Sequence, residues 1–200
     1  MSFDTPLPPT PVLETARLIL RPLELRDAPA IQREFPRWEI LEHLHAGIPW
    51  PYPADGALTN TRESLEKRER GEKFYWVITL KGGDDEAIGR IDLWPPEGDG
   101  RDMRGFWLAR PWWGQGLMTE AAEAVTGYAF QVLEWPYLHL NNSAENLASH
   151  RIKEKQGAEI VDVLPHPYMS GEGMRVTWIL RRDAWLARRG MTRPGSGEAA

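Results

Sequence analysis

The chain of 200 residues contains no cysteine, which removes disulfides, thiolate metal ligands and covalent thiol catalysis from consideration. No apolar run approaches the length of a membrane span, and the opening Met1-Ser2-Phe3-Asp4-Thr5-Pro6 lacks the basic-then-apolar order of a signal segment. Excess positive charge is also missing: 24 Lys and Arg stand against 29 Asp and Glu, a net charge of −5. That balance speaks against a nucleic-acid partner, and nothing suggests a membrane partner. A cytoplasmic location is the default these absences leave. Glycine and proline cluster rather than spread, and no internal repeat or linker interrupts the middle of the chain.

What is present is one domain's worth of ordinary globular sequence. Hydrophobic residues make up 42% and charged residues 26%, enough to build a core without staples. Residues 1–12 carry four prolines and read as a flexible arm. Residues 13–189 read as a single domain, and the glycine-rich stretch 190–200 reads as a disordered tail.

Period-two and period-3.6 patterns predict strands over 17–22, 74–80, 87–93, 103–108, 137–141, 159–164 and 174–180. Helices are predicted over 27–34, 39–45, 59–70, 118–132, 146–156 and 183–189, with Thr59 or Asn60 as an N-cap and Gly157 as a stop. Hairpin-like strands followed by strand–helix–strand–helix–strand order predict an α/β (α+β) fold with a mixed sheet flanked by helices. Ten tryptophans are unusual. Trp76, Trp107 and Trp178 sit inside strand patterns and are expected in the core. Trp38, Trp50 and Trp94 lie near loops and could line a pocket.

The densest chemical signal is Arg110-Pro111-Trp112-Trp113-Gly114-Gln115-Gly116-Leu117-Met118-Thr119. It joins a predicted strand to a predicted helix, and two glycines one residue apart bare the backbone where the helix N-terminus exposes free N–H groups. That is a seat for phosphate oxygens. No lysine follows, so a nucleotide P-loop is excluded, and Thr119 replaces the third glycine of a dinucleotide fingerprint. Glu120 and Glu123 suit the helix dipole but would repel a phosphate, so they are expected to face away.

Downstream stands Asn146-Leu147-Ala148-Ser149, closing at Gly157. This block, the glycine loop and the opening Leu13-Glu14-Thr15-Ala16-Arg17-Leu18 together resemble the GNAT superfamily of acetyl-CoA-dependent N-acetyltransferases, in its RimJ/RimL-type branch. The likeness spans residues 13–189. It implies a splayed seven-stranded sheet and acetyl-CoA as co-substrate. By that likeness the amides of Gln115, Gly116, Leu117, Met118 and Thr119, with Gly114 and Arg110, bind the pyrophosphate. Leu108 and Ala109 offer backbone groups to the pantetheine arm, Asn146 contacts it from the other side, and Ser149 lies near the sulfur as donor to the departing thiolate. Arg151, Lys153 and Lys155 are candidates for the ribose phosphate.

Many relatives place a tyrosine where this chain has Lys153. They also often place a glutamate on the fourth strand, where this chain has only Asp102 at its beginning. Asp92 is carried as a candidate base, with Arg90 or Arg104 as its expected ion-pair partner; Glu39, Glu42, His43, His45 and His166 are others. His43 and His45 are two residues apart, on different sides of a helix, and no metal site is assigned. The implied reaction moves an acetyl group to a primary amine, a protein N-terminus or a small molecule, by direct attack. The alternative is a non-catalytic acyl-CoA-binding or sensing module. Members of the family are often dimers, so a homodimer is an assembly the likeness allows.

Overall fold

A computed structural model describes Phe3 and residues 6–96 and 102–191; the predicted tail beyond residue 191 lies outside the described residues. The first sheet has five strands in sequential antiparallel order: β1 (Leu13–Glu14), β2 (Leu18–Pro22), β3 (Phe74–Leu80), β4 (Gly89–Leu93) and β5 (Arg104–Leu108). The second has three, β6 (Tyr137–Ser143), β7 (Glu159–Tyr168) and β8 (Gly171–Arg181), with β8 central. Eight strands in two sheets thus replace the single seven-stranded sheet. The extra strand is β1, whose Leu13 and Glu14 fold back on Leu20 and Ile19, a pairing of two residues that no periodicity can announce.

The helices are α1 (Ala28–Glu34), α2 (Trp38–Leu41), α3 (Gly56–Glu69), α4 (Leu117–Gly127), α5 (Leu147–Gln156) and α6 (Arg182–Ala187). Helix α3 starts three residues before the predicted position, with Asp55 as its N-cap residue. Thr59 and Asn60 fall inside it, and the Asn60 carbonyl oxygen instead accepts from Arg90 Nη1 at 2.9 Å. The helix predicted over 118–132 is α4 followed by a π-helical turn at Tyr128–Val132. Strands β7 and β8 form a hairpin and extend past the predicted strands 159–164 and 174–180, to Tyr168 and back to Gly171. Pro165 and Pro167 are tolerated there because β7 is an edge strand and their missing N–H groups face no partner.

A large core lies between the sheets and α4, with Trp76 and Trp178 buried in it. A smaller one packs α1 and α3 on the opposite face of the first sheet around Leu23, Ile31, Ala57, Tyr75 and Val77. Trp107 is only half-buried, against Phe35 at 5.3 Å between ring centroids. Residues 6–12 of the predicted arm are tied to the sheet: Leu7 N–H donates to Gly71 O at 2.9 Å, and Trp76 Nε1 donates to Pro11 O at 2.6 Å.

Polar groups buried in the large core converge on Arg104. Its Nη1 donates to Thr126 Oγ1 at 2.6 Å and its Nη2 to Gln156 Oε1 at 2.8 Å, so one β5 side chain ties α4 to α5. Gln156 Nε2 in turn donates to Thr126 Oγ1 at 2.9 Å and to Ala122 O at 3.2 Å. Burial pulls the Arg104 pKa down to about 10, with Asp102 opposing. Arg104→Met strips a charged donor from Gln156 and Thr126 and should lower unfolding free energy by about 3 kcal/mol. In urea melts the Arg104→Met, Gln156→Met double variant should lose less than the sum of the single losses, since both act on one network.

Candidate active site

The two sheets meet at one end and part at the other. Met103 N–H donates to His139 O at 2.9 Å, joining β5 to β6. Ala109 N–H donates to Ile88 O at 2.8 Å and Met103 O accepts from Trp94 N–H at 3.0 Å; in the same register Gly105 and Trp107 turn their backbone groups to β4, and Met103 alone is split, its O on β4 and its N–H on β6. Antiparallel alternation turns the N–H and C=O groups of Phe106 and Leu108 the other way, toward β6. Beyond the Met103–His139 join no strand covers them among the described residues. This is an open strand edge inside the molecule, a slot for an extended arm with amides of its own.

The slot revises two expectations. Ala109 has no free backbone group to offer: its N–H is held by Ile88 and its C=O accepts Trp112 N–H at 3.0 Å. Leu108 O is taken by the indole Nε1 of Trp113 at 2.6 Å. Phe106, which sequence reasoning passed over, presents its backbone groups to the gap beside the Leu108 N–H. Strand register decides which residue of a pair faces the gap, and that is set by β4, not by the local sequence.

At the wide end of the slot the glycine loop turns into α4. Gly114 and Gly116 adopt φ of +75° and +77°, where a side chain is strained. Glu120 N–H is the first to reach back, to Gly116 O at 3.1 Å, which leaves Leu117, Met118 and Thr119 N–H as the free donors of the helix N-terminus. Arg17 holds the loop in place, donating through Nη1 to Gln115 O at 3.0 Å and through Nε to Glu120 Oε2 at 2.7 Å. Thr15 Oγ1 also donates to Glu120, at 2.6 Å. Glu123 is engaged by Arg189 and Gln156. Both glutamates are thus paired with cations, but they do not face away as expected: they line the cleft at Gly116 and Thr119. The Arg110 guanidinium stacks 4.9 Å over the Trp113 ring. Lys155 and Arg189 line a cleft that begins at Gly116 and Thr119.

On the other wall stands α5. Asn146 caps it, its Oδ1 accepting Ser149 N–H at 3.0 Å, which places Ser149 in the first turn. Lys153, one turn later, departs from expectation. It is not a surface cation for a phosphate: its side chain is buried, 2% exposed, and Nζ donates to Ser149 Oγ at 2.7 Å. Nζ also sits 5.6 Å from the Phe106 ring, over the open edge. Burial, then the Arg104 charge, hold its pKa well below the usual lysine range, with Asp102 pulling the other way. Arg151 and Lys155 stay exposed.

Two carboxylates approach this region. Asp92 Oδ1 accepts Arg90 Nε at 2.7 Å, and Arg90 is itself anchored to Ser64 Oγ and Asn60 on α3. Burial raises its pKa, with Arg90 opposing. Asp102 differs: its Oδ1 is buried without a hydrogen-bond partner among the described residues. Burial pushes its pKa up to about 7, against the pull of Lys153, Lys73 and the Arg104 backbone N–H. Tyr168, raised to about 12 by burial, feels both Asp102 and Arg175. Of the histidine candidates, His45 Nδ1 accepts Gly47 N–H at 3.2 Å, and the His166 ring lies 5.0 Å from that of Tyr168. Among the described residues no group of three or more His, Asp or Glu could hold a metal. Trp38 and Trp50 pack on each other at 5.5 Å, both exposed, while Lys73 Nζ lies 4.5 Å over Trp94.

The Acetyltransferase (GNAT) domain model matches residues 17–159. The probable N-acetyltransferase YjcK of Bacillus subtilis (strain 168) is 28% identical over 154 residues, covering 73% of this chain and 82% of that protein. Among solved structures, a RimL ribosomal-protein α-N-acetyltransferase in complex with coenzyme A superposes with a TM-score of 0.72 at 17% identity, over 87% of this chain and 99% of that one. Mycobacterium smegmatis RimJ in complex with CoA-disulfide gives 0.70 at 18% identity, over 87% and 90%. The chain belongs to the GNAT family of acetyltransferases.

Proposed function

We propose that this acetyltransferase moves the acetyl group of acetyl-CoA to a primary amine by direct attack of the amine on the thioester. The observation that carries the reading is the slot, with free N–H donors at Leu117–Thr119 at its mouth and Ser149 along its wall. The α4 N-terminus receives the pyrophosphate, and the Phe106 edge receives the amides of the arm. Ser149 Oγ then donates to the sulfur as the C–S bond breaks. With no cysteine in the chain, an acyl-thiol enzyme is excluded, and direct attack of the nitrogen on the carbonyl is the simpler course.

Of the two carboxylates, Asp102 suits removal of the amine proton. Its Oδ1 is unpartnered and its pKa is near neutrality, whereas Asp92 Oδ1 is held by Arg90. The description of RimL as an enzyme of ribosomal-protein amino termini supports a peptide N-terminus as the acceptor over a polycation. The exposed aromatic pair Trp38–Trp50 on the flank formed by α2 and the following loop supports contact with an apolar or flat first residue.

Three outcomes follow. CoA, and not NAD or ATP, should raise the melting temperature, and Gly116→Asp should abolish that shift by straining the φ of +77° and placing an anion in the seat. A folded Gly116→Asp that still gains stability from CoA refutes the loop assignment. Free-thiol release from acetyl-CoA with a peptide and small-amine panel should identify the acceptor; binding without any release would favour a non-catalytic acyl-CoA module. For Asp102, kcat/KM should fall as pH drops through about 7, and Asp102→Asn should lose that limb and about 100-fold in kcat. The stability sign is opposite. A carboxyl raised from 3.8 to about 7 on folding favours the native state at low pH and loses that benefit as pH rises through 7. Asp102→Asn should therefore melt higher than the parent at pH 8.

A further inference from the structure

Lys153 is the least expected side chain in the large core. It is buried to 2% exposure, forms no salt bridge among the described residues, and its Nζ bonds only to Ser149, at Oγ (2.7 Å) and at the backbone O (3.5 Å). A methionine would fill the same space without the desolvation a buried ammonium suffers. Such a breach of the rules of core building marks a functional position. The hydrogen bond has a direction. Nζ carries no spare acceptor when protonated, so it donates, and the single hydroxyl proton of Ser149 must point elsewhere. No described residue accepts that proton, and the Phe106 edge lies alongside, 5.6 Å from Nζ to the ring centroid.

We propose that Lys153, by donating to Ser149 Oγ, keeps the serine hydroxyl proton aimed into the slot and resupplies it when the thiolate takes it. Lys153 is thus a positioning residue, and the inference rests on the acetyl-CoA reading above. The step balances. The amine nitrogen forms a bond to the carbonyl carbon, and the C–S pair leaves with sulfur. Sulfur takes the Ser149 proton, and Ser149 Oγ takes one from Nζ. Asp102, having taken the proton of the acceptor nitrogen, returns one to Lys153, so no other reactant is consumed.

The surroundings suit a lysine that gives up a proton more readily than a solvated one. Burial first, then the Arg104 charge, lower its pKa, and Asp102 opposes them. Facing it are Asp102 and Arg104 from the β5 side and His150 from its own helix, whose pKa is also lowered, by burial and then by Lys153. From α4, Glu123 is already engaged with Arg189 and Gln156. From the β7–β8 hairpin, Tyr168 feels both Arg175 and Asp102.

The test uses the full chain with Lys153→Met, Lys153→Arg and Ser149→Ala. Two readouts are followed against pH: the ultraviolet absorbance of bound CoA thiolate, and kcat. Lys153→Met should leave KM for acetyl-CoA within about twofold, lower kcat about 10- to 100-fold and erase its alkaline limb. It should also raise the pH at which bound CoA ionises by about one unit. Lys153→Arg should restore the thiolate titration but not kcat, because a guanidinium donates hydrogen bonds and does not give up its proton. In a Ser149→Ala background, Lys153→Met should change neither readout further. Parent-like kcat, pH profile and thiolate titration in Lys153→Met overturn the inference. A parent protein that binds no CoA overturns the acetyl-CoA reading as well; one that binds CoA without turnover leaves the thiolate titration to decide.

Discussion

A guanidinium taken out of water must find its hydrogen bonds inside the protein, and the arrangement of the catalytic half of this molecule follows from where Arg104 finds them. Its donors reach Thr126 on α4 and Gln156 on α5, so two helices that meet the sheet from different chain segments are locked to one strand. Buried polar networks of this kind are directional in a way apolar contact is not. α4 carries the phosphate seat at its start, and α5 carries Ser149 and Lys153. The relative placement of seat and hydroxyl is therefore set by a side chain that touches neither.

The same strand supplies the slot. β5 gives one edge to β4 and, beyond Met103, withholds the other from β6. An open edge is normally a liability that proteins cover. Here it lies inside, between a glycine turn that bars side chains and a helix whose first turn is capped by Asn146. The backbone groups left without partners are those a ligand with its own amides can satisfy. Trp113 covers one of them, Leu108 O, which narrows the open groups to the Phe106 side.

Charge is distributed with the same economy. Surface acids near the seat are neutralised by Arg17 and Arg189, so the helix N-terminus keeps its attraction for anions. The groups left under-solvated are Asp102 and Lys153, and their pKa values are driven toward each other, one up to about 7 and the other well below the lysine range. Titratable pairs pushed together in this way are what proton transfer near neutral pH requires.

The amino-acid sequence by itself determined what depends on neighbours along the chain. The positive φ at Gly114 and Gly116, the Asn146 cap on Ser149 and the helical and strand periods are local, so the glycine turn at the head of α4 and the family were legible in residues 110–119 and 146–157. What crosses between segments was not. The burial of Lys153 depends on α5 packing over Phe106, since a 3.6-residue period places it on a face without saying what that face meets. The choice of Arg90 over Arg104 as the expected partner of Asp92, the spent backbone of Ala109 and the division into sheets of five and three strands were likewise decided by register and packing. Tertiary structure alone chose which charged side chains lost their water, because desolvation is a property of the assembled core and of no single stretch of sequence.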